Sequence, residues 1–269
     1  FNRPFHTYQL IESLIKNKEA KDSDIYAFID GERSPAEIHV IEDVEKILIN
    51  NSSSFKSLNI IKATSNQGVD RSLRLGINYV LNKHETVIIL EDDLKVSSNF
   101  LSYINKGLEI YKNESKVWQI SGYIPPISNH SNNNSFFTRI MYSWGWGTWR
   151  DRWEKYINDP LSKDPYYLQS KFSQKMKRDF DLNIRPSIFW SQVNKNISGE
   201  FNNTWDIFWY SYIFLNQGLC LSPVSSLTEN TGLDGSGIHC KKSIKESNLS
   251  VLNNYISNYP IDIKEDILL

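Results

Sequence analysis

Val87-Ile88-Ile89-Leu90-Glu91-Asp92-Asp93 is the stretch on which the fold turns. Four apolar residues read as a strand, and three carboxylates follow its end without a break. Three acidic groups in a row repel one another unless a cation or basic side chains neutralise them. A hard divalent ion that also bridges phosphate oxygens needs only one or two protein carboxylates. Asp93 is the better candidate ligand, and Asp92 can reach a ribose. The competing reading is an acidic helix start beside Leu94 to Phe100, favoured by the helix dipole.

Upstream of that strand, Leu73, Ile77, Val80 and Leu81 recur at helical spacing, and Leu58 to Ala63 reads as a further strand. Ser34-Pro35-Ala36-Glu37 carries a helix-start signature: Ser at the N-cap, Pro at the first helical position and Glu three after the cap. Ile38, Ile41, Val44, Ile47 and Leu48 continue that helix. Ile25 to Ile29 is a continuous apolar run, the mark of a strand buried on both faces, and Asp30-Gly31 ends it. Pro4 opens a segment with Leu10, Ile11, Leu14 and Ile15 at helical spacing. Downstream, Phe100, Leu101, Ile104, Leu108 and Tyr111 mark a helix, and Val117 to Ile120 a strand.

Strands separated by helices predict an α/β fold: a Rossmann-like, mainly parallel sheet, doubly wound and flanked by helices. Ligands of such sheets bind beyond the carboxyl ends of the strands. Asn2-Arg3, Asp30, Asn66-Gln67-Gly68 and Glu91-Asp92-Asp93 are therefore expected to converge on one edge. The second half is less regular. Asn129 to Asn134 is a polar loop, and an aromatic block runs from Phe136 to Trp153. Lys171 to Trp190 reads as helical with a break near Pro186, Asp206 to Asn216 as a buried helix, and Gly232 to Gly237 as a flexible turn. No internal repeat or long linker divides the chain. The expectation is one catalytic domain, with a nucleotide half at about 1–125 and an irregular acceptor-side half at about 126–269.

Each candidate residue has a plainer alternative. Asp30 can accept hydrogen bonds from a base or ribose, or simply end an Asp-Gly turn. Arg3, Arg71 and Arg74 suit bidentate contacts to a diphosphate or nucleobase, and equally suit ion pairs. Asp206, set between Trp205 and Ile207-Phe208-Trp209, has apolar surroundings that raise a carboxylate pKa and favour general-base work; Thr204 or Asp206 could instead just start the helix. Trp144-Gly145-Trp146-Gly147-Thr148-Trp149 alternates rings with glycines, which permits close backbone approach to a ligand or tight core packing. His239 follows a Gly-rich stretch that could close over a metal-bound diphosphate, or it is solvated.

The formal net charge of -1 excludes a generally basic nucleic-acid binder. Aromatics reach 13%, with eight Trp, which fits either rings stacked on sugars or an aromatic core. Cys220 and Cys240 form no metal-binding spacing and read as free thiols. No apolar run approaches the roughly 18 residues of a membrane span, and no signal-peptide pattern is present. Phe1 in place of an initiating methionine predicts residues upstream of it. Abundant Asn, Ile, Lys and Ser hint at an AT-rich bacterial source.

In this order, these residues resemble the nucleotide-diphosphosugar glycosyltransferases of the GT-A fold, especially the N-acetylglucosaminyltransferase I-like branch. Phe1-Asn2-Arg3-Pro4 resembles the end of the family's first strand, with its nucleotide-contacting arginine. Ile29-Asp30-Gly31 resembles the second-strand acidic site, and Asn66-Gln67-Gly68 with the helix through Arg74 the next donor segment. Ile89-Leu90-Glu91-Asp92-Asp93-Leu94 is similar to the metal motif, whose last Asp carries the metal. Ser143-Trp144-Gly145-Trp146-Gly147 resembles the donor-sugar pocket, Trp205-Asp206 the motif of the catalytic base, and Glu229 with the stretch to His239 the loop near the diphosphate. Only one Asp follows Trp205, where the family commonly has two acidic residues.

The resemblance implies an inverting, metal-dependent glycosyltransferase (hexosyl- or N-acetylhexosaminyl-) using Mn2+ or Mg2+. Asp93 and His239 would hold the metal. Arg3, Asp30, Asn66, Arg74 and Asp92 would bind the donor nucleotide, a UDP-sugar being favoured, and Glu91, Trp144, Gly145 and Trp146 would line the donor-sugar pocket. Asp206 would deprotonate the hydroxyl of a glycan, glycolipid or glycoprotein acceptor. It also implies a bacterial cytoplasmic enzyme building a surface glycan, with peripheral association at the inner face of the membrane and no nucleic-acid partner. The rivals are a sugar-phosphate nucleotidyltransferase, whose Gly-rich basic phosphate loop Asn2-Arg3-Pro4-Phe5 lacks, and a non-enzymatic glycan-binding protein, which leaves the acidic cluster unexplained.

Overall fold

A computed structural model of the chain describes residues 1–126, 134–184, 186–201, 204–234 and 255–266. Helix α1 (Pro4–Leu14) begins on a proline, whose fixed φ suits the first helical position, and buries Leu10, Ile11 and Leu14. Strand β1 (Asp24–Ile29) is followed by helix α2 (Ile38–Asn50), which buries Ile41, Val44 and Leu48. The start of α2 differs from expectation. Pro35–Glu37 form a 3₁₀ turn, and Ser34 makes no side-chain cap. The Glu37 carboxylate is drawn back one residue, accepting the Arg33 N–H at 2.8 Å and the Asn2 amide at 2.9 Å.

Strand β2 (Ser57–Lys62) pairs in parallel with β1, from Asp24 opposite Ser57 to Ile29 opposite Lys62. Helix α3 (Val69–Leu81) and strand β3 (Thr86–Ile89) follow, then a short strand β4 (Leu94–Val96), helix α4 (Phe100–Ile110) and strand β5 (Val117–Ser121). The strand–helix alternation of the first half is thus as the periodicity predicts, with β4 added. Because Leu94–Val96 is extended, Glu91-Asp92-Asp93 is a turn between two strands and not a helix start.

The second half holds β6 (Ser135–Thr138), β7 (Trp146–Trp149), α5 (Arg150–Ile157), α6 (Pro165–Ser170) and α7 (Gln174–Phe180). Then come α8 (Phe189–Ile197), α9 (Trp205–Leu215), β8 (Leu219–Pro223) and β9 (Thr228–Asn230). The stretch from Lys171 to Trp190 is helical with a break, as expected, but the break opens after Phe180, well before Pro186, because Leu182 and Asn183 adopt left-handed backbone at φ 53° and 58°. The Asp181 carboxylate then starts α8 by accepting the Ile188, Phe189 and Trp190 N–H groups at 3.1, 2.7 and 3.0 Å.

The main sheet has the order β3-β7-β5-β8-β6. Strand β7 is antiparallel to both β3 and β5, β8 is parallel to β5, and β6 is antiparallel to β8. The fold is α/β, and the expectation of a mainly parallel sheet is corrected to a mixed one. The cause is the aromatic block: Trp146-Gly147-Thr148-Trp149 inserts as a fully buried strand, with Gly147 so close beneath α4 that a Cβ there would press on Ile104 and Leu108. Two smaller pairs stand apart, β1-β2 and the antiparallel β4-β9.

Two hydrophobic clusters each draw on both halves of the chain. One joins α1, α2 and α4 around Leu10, Val44, Phe100 and Ile104. The other is aromatic and contains Trp118, Trp146, Trp153, Trp190, Trp205 and Trp209; with Trp149 in the first, seven of the eight tryptophans serve packing. Its rings meet edge-on or stacked, as for Phe180 and Tyr210 at 4.3 Å and 21°, geometries worth about 0.5–1.5 kcal/mol beyond area burial. Among the described residues no helix is long and apolar enough to cross a membrane.

Candidate active site at the acidic turn

The turn after β3 is held from both sides. Thr231 clamps the Asp93 carbonyl, its N–H donating at 2.7 Å and its hydroxyl at 2.8 Å. That contact places Gly232 against the Asp93 side chain, where a Cβ would collide with Oδ2. On the other side, the Arg3 guanidinium spans two carboxylates, donating to Asp92 Oδ1 and, at 3.1 Å, to Asp93 Oδ2. Burial alone would lower the Arg3 pKa, but Asp92 and Asp93 outweigh it and the net shift is upward. Burial likewise works to raise Asp92, and the Arg3 guanidinium, by its charge and its hydrogen bond, works against that rise.

For Glu91 the balance falls the other way: Arg3 opposes the rise but is outweighed. The residue keeps partial solvent contact, but its carboxyl is enclosed by protein, and burial is the first cause of a pKa pushed up to about 8. The charges of Asp93, Asp206 and Asp92 add to the shift, in that order. Near neutral pH Glu91 is therefore a protonated hydrogen-bond donor. The influence of Asp206 also shows that the acidic turn and the start of α9 share one neighbourhood, 115 positions apart in sequence.

Asp206 lies in the first turn of α9, half-buried, with Oδ1 accepting the Ile207 N–H at 2.9 Å. It is not the N-cap residue: Thr204 holds that position, and its hydroxyl makes no cap bond. Thr204 is instead fastened to α8, its N–H donating to Asn196 Oδ1 at 3.1 Å and its hydroxyl accepting from Asn196 Nδ2 at 2.9 Å.

Arg74 approaches the same neighbourhood from α3. Its Nε donates to Asp70 at 2.9 Å, and its guanidinium carbon lies 5.4 Å from the centre of the Tyr156 ring. Among the described residues, the buried Arg74 Nη1 and Nη2, the Tyr156 hydroxyl and the Trp146 Nε1 have no hydrogen-bond partner. Arg74 and Tyr156 are near enough to influence each other's charge, but not in hydrogen-bonding geometry. Burial raises Tyr156 well above its ordinary value, with Asp70 and Asp206 adding to the rise and Arg74 opposing it.

Other expected residues have mainly structural surroundings. All four bonds to the Asp30 carboxylate are internal: Gly31 N–H at 2.9 Å, Gln67 N–H at 2.7 Å, Gly68 N–H at 2.9 Å and Asn66 Nδ2 at 3.0 Å. Asp30 thereby folds the 66–68 loop over the end of β1. Trp146 is fully buried and stacked on Trp205, with ring centres 5.5 Å apart. Trp144 remains partly exposed, its ring 4.3 Å from that of Tyr123. Gly145 has φ 78°, a conformation that glycine adopts freely, and its carbonyl accepts the Gly122 N–H at 2.7 Å. Glu229 pairs with Lys95 in the β4-β9 register. His239 and Cys240 lie outside the described residues, and Cys220 is buried and free.

Tyr156, Asp70 and Thr231 were not singled out from the sequence as site residues, and Gly232 was read only as the start of a Gly-rich turn near the diphosphate. Only Asn230-Thr231-Gly232, small and polar after a short strand, carried a local signal. Among the described residues no three His, Cys, Asp or Glu side chains are grouped to hold a metal ion by themselves. Asp93, with room left by Gly232, fits an ion held largely by a ligand's phosphates, which needs few protein carboxylates. The chain matches no family model and no curated protein.

Proposed function

We propose that this chain is a metal-dependent, inverting glycosyltransferase of the GT-A type. It moves a sugar from a nucleotide-diphosphate donor, a UDP-sugar being favoured, to an acceptor hydroxyl of a glycan, glycolipid or glycoprotein. The observation that carries this reading is the meeting of the Glu91 and Asp93 carboxyls, Asp206 and the unused guanidinium donors of Arg74 in one neighbourhood. Sugar transfer needs such a mixture: a base, and positive charge for a diphosphate.

Mn2+ or Mg2+, held by Asp93 with His239 as a second ligand, would supply charge balance for the departing diphosphate. Asp206 takes the proton from the acceptor hydroxyl as that oxygen bonds to the anomeric carbon and the bond to the diphosphate breaks. Glu91 lines the donor-sugar pocket. Arg74 donates to the diphosphate, which would satisfy its two unpartnered amino groups. Arg3 sets the local charge by holding Asp92 ionised, while Asp30 acts indirectly, by fixing Asn66 to Gly68.

The test is thermal stabilisation by a panel of nucleotide sugars with and without Mn2+. A donor at 100 times its Kd adds about 2.7 kcal/mol, and only with the metal. No metal-dependent shift across the panel would reject the reading. Asp206→Asn then isolates the base: turnover falls about 10²–10⁴-fold while donor affinity holds. Turnover within about threefold of the parent, well inside that range, would remove Asp206 from the mechanism.

A further inference from the structure

Residues 163–197 carry seven Lys or Arg against three Asp, in a chain whose net charge is -1. Lys175 and Arg178, three apart, share one face of α7, Lys171 ends α6 just before it, and all three are exposed. Lys177 and Lys171 lie over rings rather than beside carboxylates, 4.5 Å from the centre of Trp190 and 4.3 Å from that of Tyr167. Among the described residues none of these four cations forms an ion pair, whereas Lys46, Lys56, Lys62 and Lys112 do. Two of the three acids are engaged by backbone: the exposed Asp164 caps α6 by accepting the Tyr166 and Tyr167 N–H groups, and Asp181 is buried at the start of α8.

Apolar residues project beside this charge. Ile184 and Ile188, between α7 and α8, are 42% and 48% exposed, and Tyr166 is 65% exposed. The turn that presents the isoleucines runs through Leu182 and Asn183, both left-handed, an uncommon conformation for leucine that is tolerated where a surface has a use for it.

We infer that the α6–α8 face docks on a membrane surface rich in anionic phospholipid headgroups, with Ile184 and Ile188 entering the headgroup layer inside a collar of Lys171, Lys175, Lys177 and Arg178. Basic side chains with adjoining exposed apolar ones are what an interfacial lipid contact requires. A nucleic acid would use the charge but leave the isoleucines exposed. Helix α8 carries Asn196, whose two bonds to Thr204 hold the start of α9. The docking face and Asp206 therefore belong to adjoining, fastened helices. Resting on the glycosyltransferase reading, this makes the acceptor a lipid-linked glycan.

Flotation with phosphatidylcholine vesicles, and with mixed phosphatidylcholine–phosphatidylglycerol vesicles, tests it directly. The chain should float only with the anionic vesicles and lose binding as salt is added. K175Q/R178Q should reduce partitioning about 30-fold, at roughly fivefold per basic side chain near an anionic surface, with its melting temperature unchanged. I184S/I188S should weaken binding while keeping its salt dependence. Failure of the parent chain to bind, equal binding to neutral vesicles, full binding by K175Q/R178Q, or displacement by duplex nucleic acid would each overturn the inference. Flotation reads no sugar transfer, so vesicle binding without any nucleotide-sugar binding would retire the enzymatic reading and leave the docking face standing.

Discussion

Glu91 is the residue whose charge is set most strongly by its neighbours. Its folded pKa of about 8 lies above the roughly 4.3 of an unfolded chain. Between those values the folded state keeps a proton that the unfolded state has released. Stability therefore falls as pH rises from about 4.5 to about 8, by about 1.4 kcal/mol per pH unit. Glu91→Gln should flatten the dependence. Urea midpoints at about pH 5 and about pH 8 with chelator present check this, and an unchanged slope in the variant would assign the dependence elsewhere. The acidic turn was plain in the sequence, but the states of its members were not. Asp92 meets Arg3 from 89 positions away, and Asp30 spends its bonds on a loop more than 30 positions later. Such partners leave no local pattern.

At the scale of elements, the segment from β9 to Gly232 is what braces the acidic turn. Gly232→Ala puts a methyl where Asp93 Oδ2 now lies. The carboxylate must move, while the backbone of β9 and its pairing to β4 need not. The expected outcome is loss of Mn2+-dependent nucleotide affinity by about tenfold or more, the range seen when the supports of a metal ligand are disturbed, with an unchanged circular dichroism spectrum. Calorimetry with and without Mn2+ decides it, and parent-like affinity would mean that Gly232 has room to yield. Elements of three or four residues, such as β4, β6 and β9, were illegible from periodicity, because two alternations cannot be told from a loop. Longer elements with a clear apolar stripe, such as α2 and α4, were read correctly.

For the whole molecule, the first half reads as α/β because each strand is separated from the next by a helix with its own apolar face. Strand β7 broke the expected parallel order. Its four residues are buried on both faces, so they show neither alternation nor a helical stripe, and nothing in Trp146-Gly147-Thr148-Trp149 reveals that it lies between β3 and β5. The same burial accounts for the tryptophan surplus, which composition alone could equally assign to sugar stacking.

The strand order also sets a schedule. Among the described residues β6 pairs only with β8, and 85 residues separate Thr138 from Pro223. At roughly 5–20 residues per second, a ribosome takes about 4 to 17 s to cover that distance. Phe136 and Phe137, both buried in the finished protein, spend that interval without their sheet. Strand β8 then arrives last of the five and takes a place between β5 and β6. The sheet is closed from within by its latest strand, and its slowest moment is the wait for Leu219–Pro223.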